Sequence, residues 1–176
     1  MIFAVANALL MLWACSYPGG AVFTFFGSLC LWLLIGGWWA VRFLMLMQSI
    51  VRSREDAYEF RHGWKGWFVA PGVVVLTLAL LLVRAPLLLR FGLSRGAFER
   101  AAAAQLRGDR VAPHSWIGLY GVRFTGKDDG RVYFTTGGWI FDEDGFVFAP
   151  DGPPPNAWPL STRPLGGAWH TFHRAD

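Results

Sequence analysis

The fold class this sequence predicts is a membrane α-helical region of about three transmembrane helices followed by a small all-β antiparallel C-terminal domain. Three observations predict it. Met1 to Val41 contains no Asp, Glu, Lys, Arg or His, and neither does Gly66 to Val83; both runs reach the ~18 residues at which a membrane span is the default reading. The chain is 54% hydrophobic and 16% charged, against about 25% charged in an ordinary soluble domain. Beyond residue 110 the long apolar runs give way to short aromatic-rich segments punctuated by Gly, Pro and Asp, the pattern of strands and turns.

The transmembrane region is expected over residues 1–89, with spans at about 2–16, 21–47 and 66–83. Tyr17-Pro18-Gly19-Gly20 interrupts the first apolar stretch, because Pro and paired Gly favour a turn over a continuous helix. A span needs ~20 residues to cross ~30 Å of hydrocarbon, so the first run is marginal and the second has length to spare. A cleaved signal peptide is the rival for the first run, but no charged n-region precedes it, and Leu12-Trp13-Ala14-Cys15 only loosely resembles a lipoprotein cleavage box. Trp38, Trp39 and Arg42 form an expected interfacial band, with Phe43 to Val51 emerging from it. Arg52 to Lys65 reads as a charged loop leading to Trp64 and Trp67. Pro71 falls near the start of the third run, where a first turn has no backbone bond to lose. Arg84, Pro86 and Arg90 mark that run's exit.

Residues 90–110 read as an interfacial connector helix. Ser94 is the expected N-cap and Gly108 the C′ residue, with Phe98, Ala101, Ala102 and Gln105 on one face. Residues 111–176 form the β domain, an antiparallel meander with strands at Ile117–Phe124, Arg131–Thr136, Trp139–Phe141, Phe146–Ala149 and Ala168–His173. Asp129-Gly130 and Asp144-Gly145 are expected at hairpin turns, since both residue types accept positive φ. Twelve aromatics between Trp116 and Phe172 suffice for a small core, and Pro150 to Pro159 reads as a stiff loop over one end.

Sixteen basic and twelve acidic residues give a net charge of +4. Eleven basic and five acidic residues precede position 111, against five and seven after it, so positive charge hugs the membrane region. Net negative charge on the β domain excludes a nucleic-acid partner, which would need a basic stripe there. The positive-inside rule, applied to the short loop carrying Arg52, Arg54, Arg61 and Lys65, favours an inside N-terminus and an extracytoplasmic β domain. Cys15 and Cys30 lie inside apolar runs at unequal distances from the turn, which disfavours a disulfide.

No catalytic, cofactor-binding or metal-binding residue is assigned, and no cofactor is expected. His170 and His173 stand at i and i+3, on opposite faces of a strand, so they do not converge on an ion. Asp142, Glu143 and Asp144 could gather a hard cation with Asp128 and Asp129 only if two hairpin tips met. His62 and His114 have no recognisable nucleophile partner. Gly36 and Ala40 form a small-xxx-small pair suited to helix packing. The paired glycines fit neither nucleotide fingerprint. No ionisable residue lies deep within an expected span, which argues against a pump or transporter.

The run from Gly137 to Pro154, followed by Gly166-Gly167-Ala168-Trp169, resembles the C-terminal part of uncharacterised actinobacterial small multi-pass membrane proteins, and Arg90-Phe91-Gly92-Leu93-Ser94-Arg95 resembles the segment that follows their last span. The resemblance covers roughly residues 65 to 173 and implies an envelope setting without an activity. The expected function is a membrane-anchored interaction or structural module in the cell membrane. Its expected partners are the lipid bilayer and, as a candidate, another membrane or envelope protein. The alternative is a membrane-bound enzyme or accessory subunit whose site forms only with a partner.

Overall fold

The computed structural model describes residues 2–52, 54–109, 111–138, 142–152 and 160–175, without the side chains of residues 50 and 52–65. Four helices precede a small antiparallel sheet: α1 (Ile2–Ala14), α2 (Val22–Arg52), α3 (Arg54–Leu82), α4 (Ala85–Arg107), then β1 (Ser115–Ile117), β2 (Tyr120–Val122), β3 (Phe124–Asp128), β4 (Arg131–Gly137), β5 (Asp142–Phe148), β6 (Leu160–Gly166) and β7 (Trp169–Ala175). The chain divides into two compact units, one of Met1–Ala14 and Val22–Val83, the other of Cys15–Ala21 and Arg84–Asp176. The second boundary therefore falls six residues before the expected end of the membrane region, and the Tyr17-Pro18-Gly19-Gly20 turn joins the β unit.

In the helical unit α1, α2 and α3 pack together. By length and composition one helix, Val22–Ser49, is a candidate membrane span, and a second is counted only if Gly66–Leu82 and Ala85–Arg107 are one broken span. The 13 residues of α1 rise only about 20 Å, which is why the first expected span falls short. Two other expectations are corrected here. The backbone of the charged segment expected as a loop is helical on both sides of residue 53, since no Pro or run of Gly interrupts it before Pro71. Pro71 therefore sits inside α3 and not in its first turn.

Proline at 71 removes the backbone N–H that would bond the Trp67 carbonyl four residues back. That freed carbonyl instead accepts the Trp39 indole N–H at 3.2 Å, the kind of re-satisfaction that lets Pro persist in apolar helices. Trp39 also stacks on Phe43 with centroids 5.2 Å apart, and Phe43 meets Trp67 edge-on at 6.1 Å. Further along, buried Asn7 and Ser28 clasp α1 to α2: the Ser28 hydroxyl donates to Asn7 Oδ1 at 2.9 Å, and Asn7 Nδ2 donates to the Ser28 carbonyl at 3.0 Å.

The β unit is built on α4. Arg84 adopts a left-handed φ of 54° just before it, and Pro occupies its first positions, where a missing N–H costs nothing. The helix ends as expected at Gly108, whose φ of 98° lets its N–H reach back into the last turn. Ser94 is not an N-cap. It lies buried mid-helix, donating to the Arg90 carbonyl at 3.0 Å and accepting the Leu119 N–H at 3.0 Å. The helix runs through it because Phe91, Phe98 and Ala102, with Leu87, form one continuous face that the sheet buries. What reads as an interfacial connector is thus the central core element of this unit.

Five strands pair antiparallel in the order β3-β4-β5-β7-β6, and β1-β2 forms a separate small ladder. A simple meander would place β6 beside β5; instead β7 lies between them, leaving β6 at the edge. Pro164 of β6 pairs only toward β7, and Pro is tolerated on such an edge. Asp129-Gly130 forms the expected hairpin turn, with φ of 45° and 73° and Asp128 paired to Arg131. Asp144-Gly145 does not: both residues lie inside β5, Gly145 opposite Thr135 and Phe172. Gly is needed there because a Cβ would strike the Phe134 carbonyl and the Phe172 ring. Residues 139–141, expected as a strand, and most of the Pro150–Pro159 loop lie outside the described residues.

The core joins Phe91 and Phe98 of α4 to Tyr120, Phe134, Phe146 and Trp169, with ring pairs 4.8–6.0 Å apart in tilted and edge-on arrangements. A smaller cluster around Val147, Ala149 and Phe172 lies on the other side of the sheet.

Candidate functional site

Arg90, one turn before Ser94 on α4, organises a polar cluster beside the aromatic core. Its guanidinium donates to Ser16 Oγ at 2.7 Å, the Tyr17 hydroxyl at 2.7 Å and the Leu119 carbonyl at 2.6 Å. It lies over the Tyr17 ring at 3.9 Å and the Tyr120 ring at 4.6 Å, so cation–π attraction adds to charge-assisted hydrogen bonds. Tyr120 Oη donates to the Ser16 carbonyl at 3.0 Å. Burial pushes the Tyr120 hydroxyl above its ordinary titration range, and nearby Arg90 only partly opposes this. The cluster ties Cys15–Ala21 to α4 through several contacts of one guanidinium, which makes it a structural keystone. The Leu119 tip is held so closely that a Cβ at Gly118, where φ is 60°, would strike Ser94.

Three of the acidic residues are paired one by one. His173 Nδ1–H donates to Asp144 Oδ1 at 3.0 Å, Arg174 meets Glu143 at 3.5 Å, and Arg131 meets Asp129 at 3.2 Å. Asp128 and Asp129 adjoin the start of β4, whereas Asp144 pairs with Gly137 at its end, roughly 20 Å of strand away. The two acidic groups therefore cannot share an ion, and no metal-holding cluster occurs among the described residues. His170 and His173 face opposite sides of β7, as their spacing requires. His170 is buried opposite Val147 with its Nδ1 unpartnered. Ser161 stands across from His173 in the β6–β7 register, which completes a Ser, His, Asp row that sequence spacing did not reveal. Among the described residues no hydrogen bond joins Ser161 to His173. His114 lies apart from this row, its ring 6.0 Å from Phe124, and His62 lies among residues whose side chains are outside the description. Cys15 and Cys30 are free thiols.

The cavity of most interest lies in the helical unit. It has a volume of about 650 Å³ and is walled on one side by Trp38, Trp39 and Trp67. Ala4, Gly66 and Ala70 line it where larger side chains would fill it, and Arg42 supplies its charge. Gly66 and Ala70 are one helical turn apart, so they open a single strip of α3. A Cβ at Gly66 would meet nothing within 4 Å. The interfacial band expected from Trp38, Trp39 and Arg42 thus becomes one wall of a cleft, and Trp67 from α3 joins it. Gly36 and Ala40 are exposed on α2 and line none of it.

No family model, curated protein or solved structure matches this chain.

Proposed function

We propose that this chain is a membrane-anchored interaction module: its helices hold the α4-backed sheet at the surface of the cell membrane, where exposed loops and edges of the sheet meet another envelope component. One observation carries the reading. In the first two turns of α4, Leu87 and Phe91 face the sheet while Leu88, Leu89 and Leu93 are exposed on the opposite side. From Arg95 onward that outer surface carries Arg95, Glu99 and Arg100. Apart from Arg90, whose guanidinium is taken up by Ser16, Tyr17 and Leu119, the start of α4 is apolar on its outer side as well, which suits hydrocarbon, and the change at Leu93–Arg95 supports a membrane boundary there. Exposed Leu119 lies beside this change, because it bonds Ser94 and Arg90, and exposed Trp116 belongs to the same small ladder. Trp is the residue favoured at such a boundary.

The extensively exposed apolar surfaces of α1, α2 and α3 support a multi-pass arrangement, in which α1 and α3 complete the crossing begun by α2. Charge bias around residues 52–65 supports an extracytoplasmic β unit, and the resemblance of the Gly137–Pro154 run supports an envelope setting. Cells carrying Ser161→Cys, with Cys15 and Cys30 replaced by Ala, test both points. The chain should stay in the membrane through alkaline carbonate washing, and an impermeant thiol reagent should label position 161 in intact cells. Release by carbonate would remove the anchoring proposal; labelling only after lysis would reverse the orientation.

A membrane-bound enzyme completed by a partner is the second reading, and the Ser161, His173, Asp144 row is what favours it. Labelling of Ser161 by a fluorophosphonate probe, abolished by His173→Ala, would bring that reading forward.

A further inference from the structure

We infer that the cleft between α1, α2 and α3 is a binding site for one anionic phospholipid, its phosphate at Arg42 and an acyl chain along the apolar floor. The inference rests on the membrane reading above and adds a ligand to it.

Three features select this occupant. First, the cleft is amphipathic along its length. Phe3, Leu34, Ile35 and Val69 line it with hydrocarbon, while Arg42 is the cation among its lining residues and no carboxylate lines it. Arg42 has no ion-pair partner among the described residues. Arg42 is exposed, so its guanidinium is open to an anion, and a phosphate suits the guanidinium fork. Second, Arg42 follows Val22 by 20 residues, about 30 Å of helix. A crossing that begins at Val22 therefore brings the guanidinium to headgroup level on the far side. Trp38, Trp39 and Trp67 surround it there, the residue type that prefers that depth.

Third, the opening is built into the packing and is not a gap awaiting a side chain. The bond from Trp39 to the carbonyl freed by Pro71, together with the Trp39–Phe43–Trp67 ring contacts, fixes the aromatic wall. The small residues Ala4, Gly66 and Ala70 keep the remaining side open. A volume near 650 Å³ is within the usual range of small-molecule sites, enough for a headgroup region and part of one chain. A zwitterionic lipid would fill the same floor but would carry its own cation to compete at Arg42, so the site should discriminate by net headgroup charge.

The test uses the full chain in detergent, titrated with phosphatidylglycerol or phosphatidylcholine and read by native mass spectrometry. One phosphatidylglycerol should bind on the order of tenfold more tightly than phosphatidylcholine, the value of one charge-assisted contact. Arg42→Gln should erase that preference while leaving weak binding of both lipids. Gly66→Leu raises helix propensity and projects into the cleft, so it should block both lipids without unfolding the protein. Arg100→Gln, on the exposed part of α4, should change neither. Equal binding of the two lipids by the native chain, or a preference that survives Arg42→Gln, would overturn the site. Either of those results in a chain still retained by membranes through carbonate washing leaves the anchoring reading standing, whereas release from the membrane removes both.

Discussion

Arg90 shows how much one side chain decides. Its guanidinium meets Ser16, Tyr17, Tyr120 and Leu119, and removing it leaves several polar groups without their partner. Arg90→Ala should lower the stability of the β unit by about 3 kcal/mol, read as the loss in its thermal or denaturant midpoint. Arg90→Lys should recover little, because an ammonium cannot present a planar fork between two rings. Burial raises the titration of Tyr120, and of Tyr133 more modestly. The folded chain then keeps these protons at a pH where the unfolded chain has lost them. Stability should therefore be fully present below about pH 10 and fall above it, at up to about 1.4 kcal/mol per pH unit from Tyr120, with a smaller contribution from the more exposed Tyr133. Tyr120→Phe should reduce that slope in alkaline unfolding curves. In the helical unit, a double-mutant cycle on Asn7 and Ser28 should return a favourable coupling of about 1 kcal/mol, the usual net value of a buried neutral hydrogen bond.

At the scale of elements, two glycines in the sheet make opposite predictions. Gly145 sits in a central strand against the Phe134 carbonyl, so Gly145→Ala should force β4 and β5 apart and cost about 3 kcal/mol or prevent folding. Gly126 lies on the edge strand β3 with nothing within 4 Å of its added Cβ. Gly126→Ala should be neutral or stabilising by up to about 1 kcal/mol. Equilibrium unfolding of the pair measures the contrast. It also explains a misreading: Asp-Gly was legible as a turn signal twice, correctly at Asp129-Gly130 and wrongly at Asp144-Gly145. The dipeptide reports tolerance of positive φ, but Gly also serves where two backbones approach closely, and only the register distinguishes the uses. The same holds for Ser94, whose capping chemistry is real in sequence but is used mid-helix to hold the β1–β2 tip.

At the scale of the molecule, the two units do not follow chain order, since Cys15–Ala21 belongs with α4 and the sheet. A fragment beginning at Arg84 would leave Arg90 without Ser16 and Tyr17 and would expose part of the aromatic core. It should be less stable than the same unit within the full chain, with broadened amide resonances. Adding a peptide of residues 15–21 by short linkage should restore dispersion. If the bare fragment proved as stable as the intact unit, the keystone role given to the Tyr17 turn would fall.

Two long uncharged runs, the Pro-Gly-Gly break between the first helices, an aromatic β region and a mildly acidic distal segment were all determined by the sequence itself. They are local in origin: apolar run length, turn chemistry and charge count act over a few residues to a few turns, so they survive without knowledge of contacts. The tertiary structure alone decided that α4 is a core helix, that β6 lies at the sheet edge beyond β7, and that Arg90 is caged by two tyrosines. It also decided that Trp39 completes the carbonyl freed by Pro71. Each joins residues far apart in the chain, and which partner a polar group or ring finds is set by the packing of whole elements. The cleft at Arg42 belongs to both: its tryptophans and its cation are legible as an interfacial band, while its depth depends on the small residues Ala4 of α1 and Gly66 and Ala70 of α3.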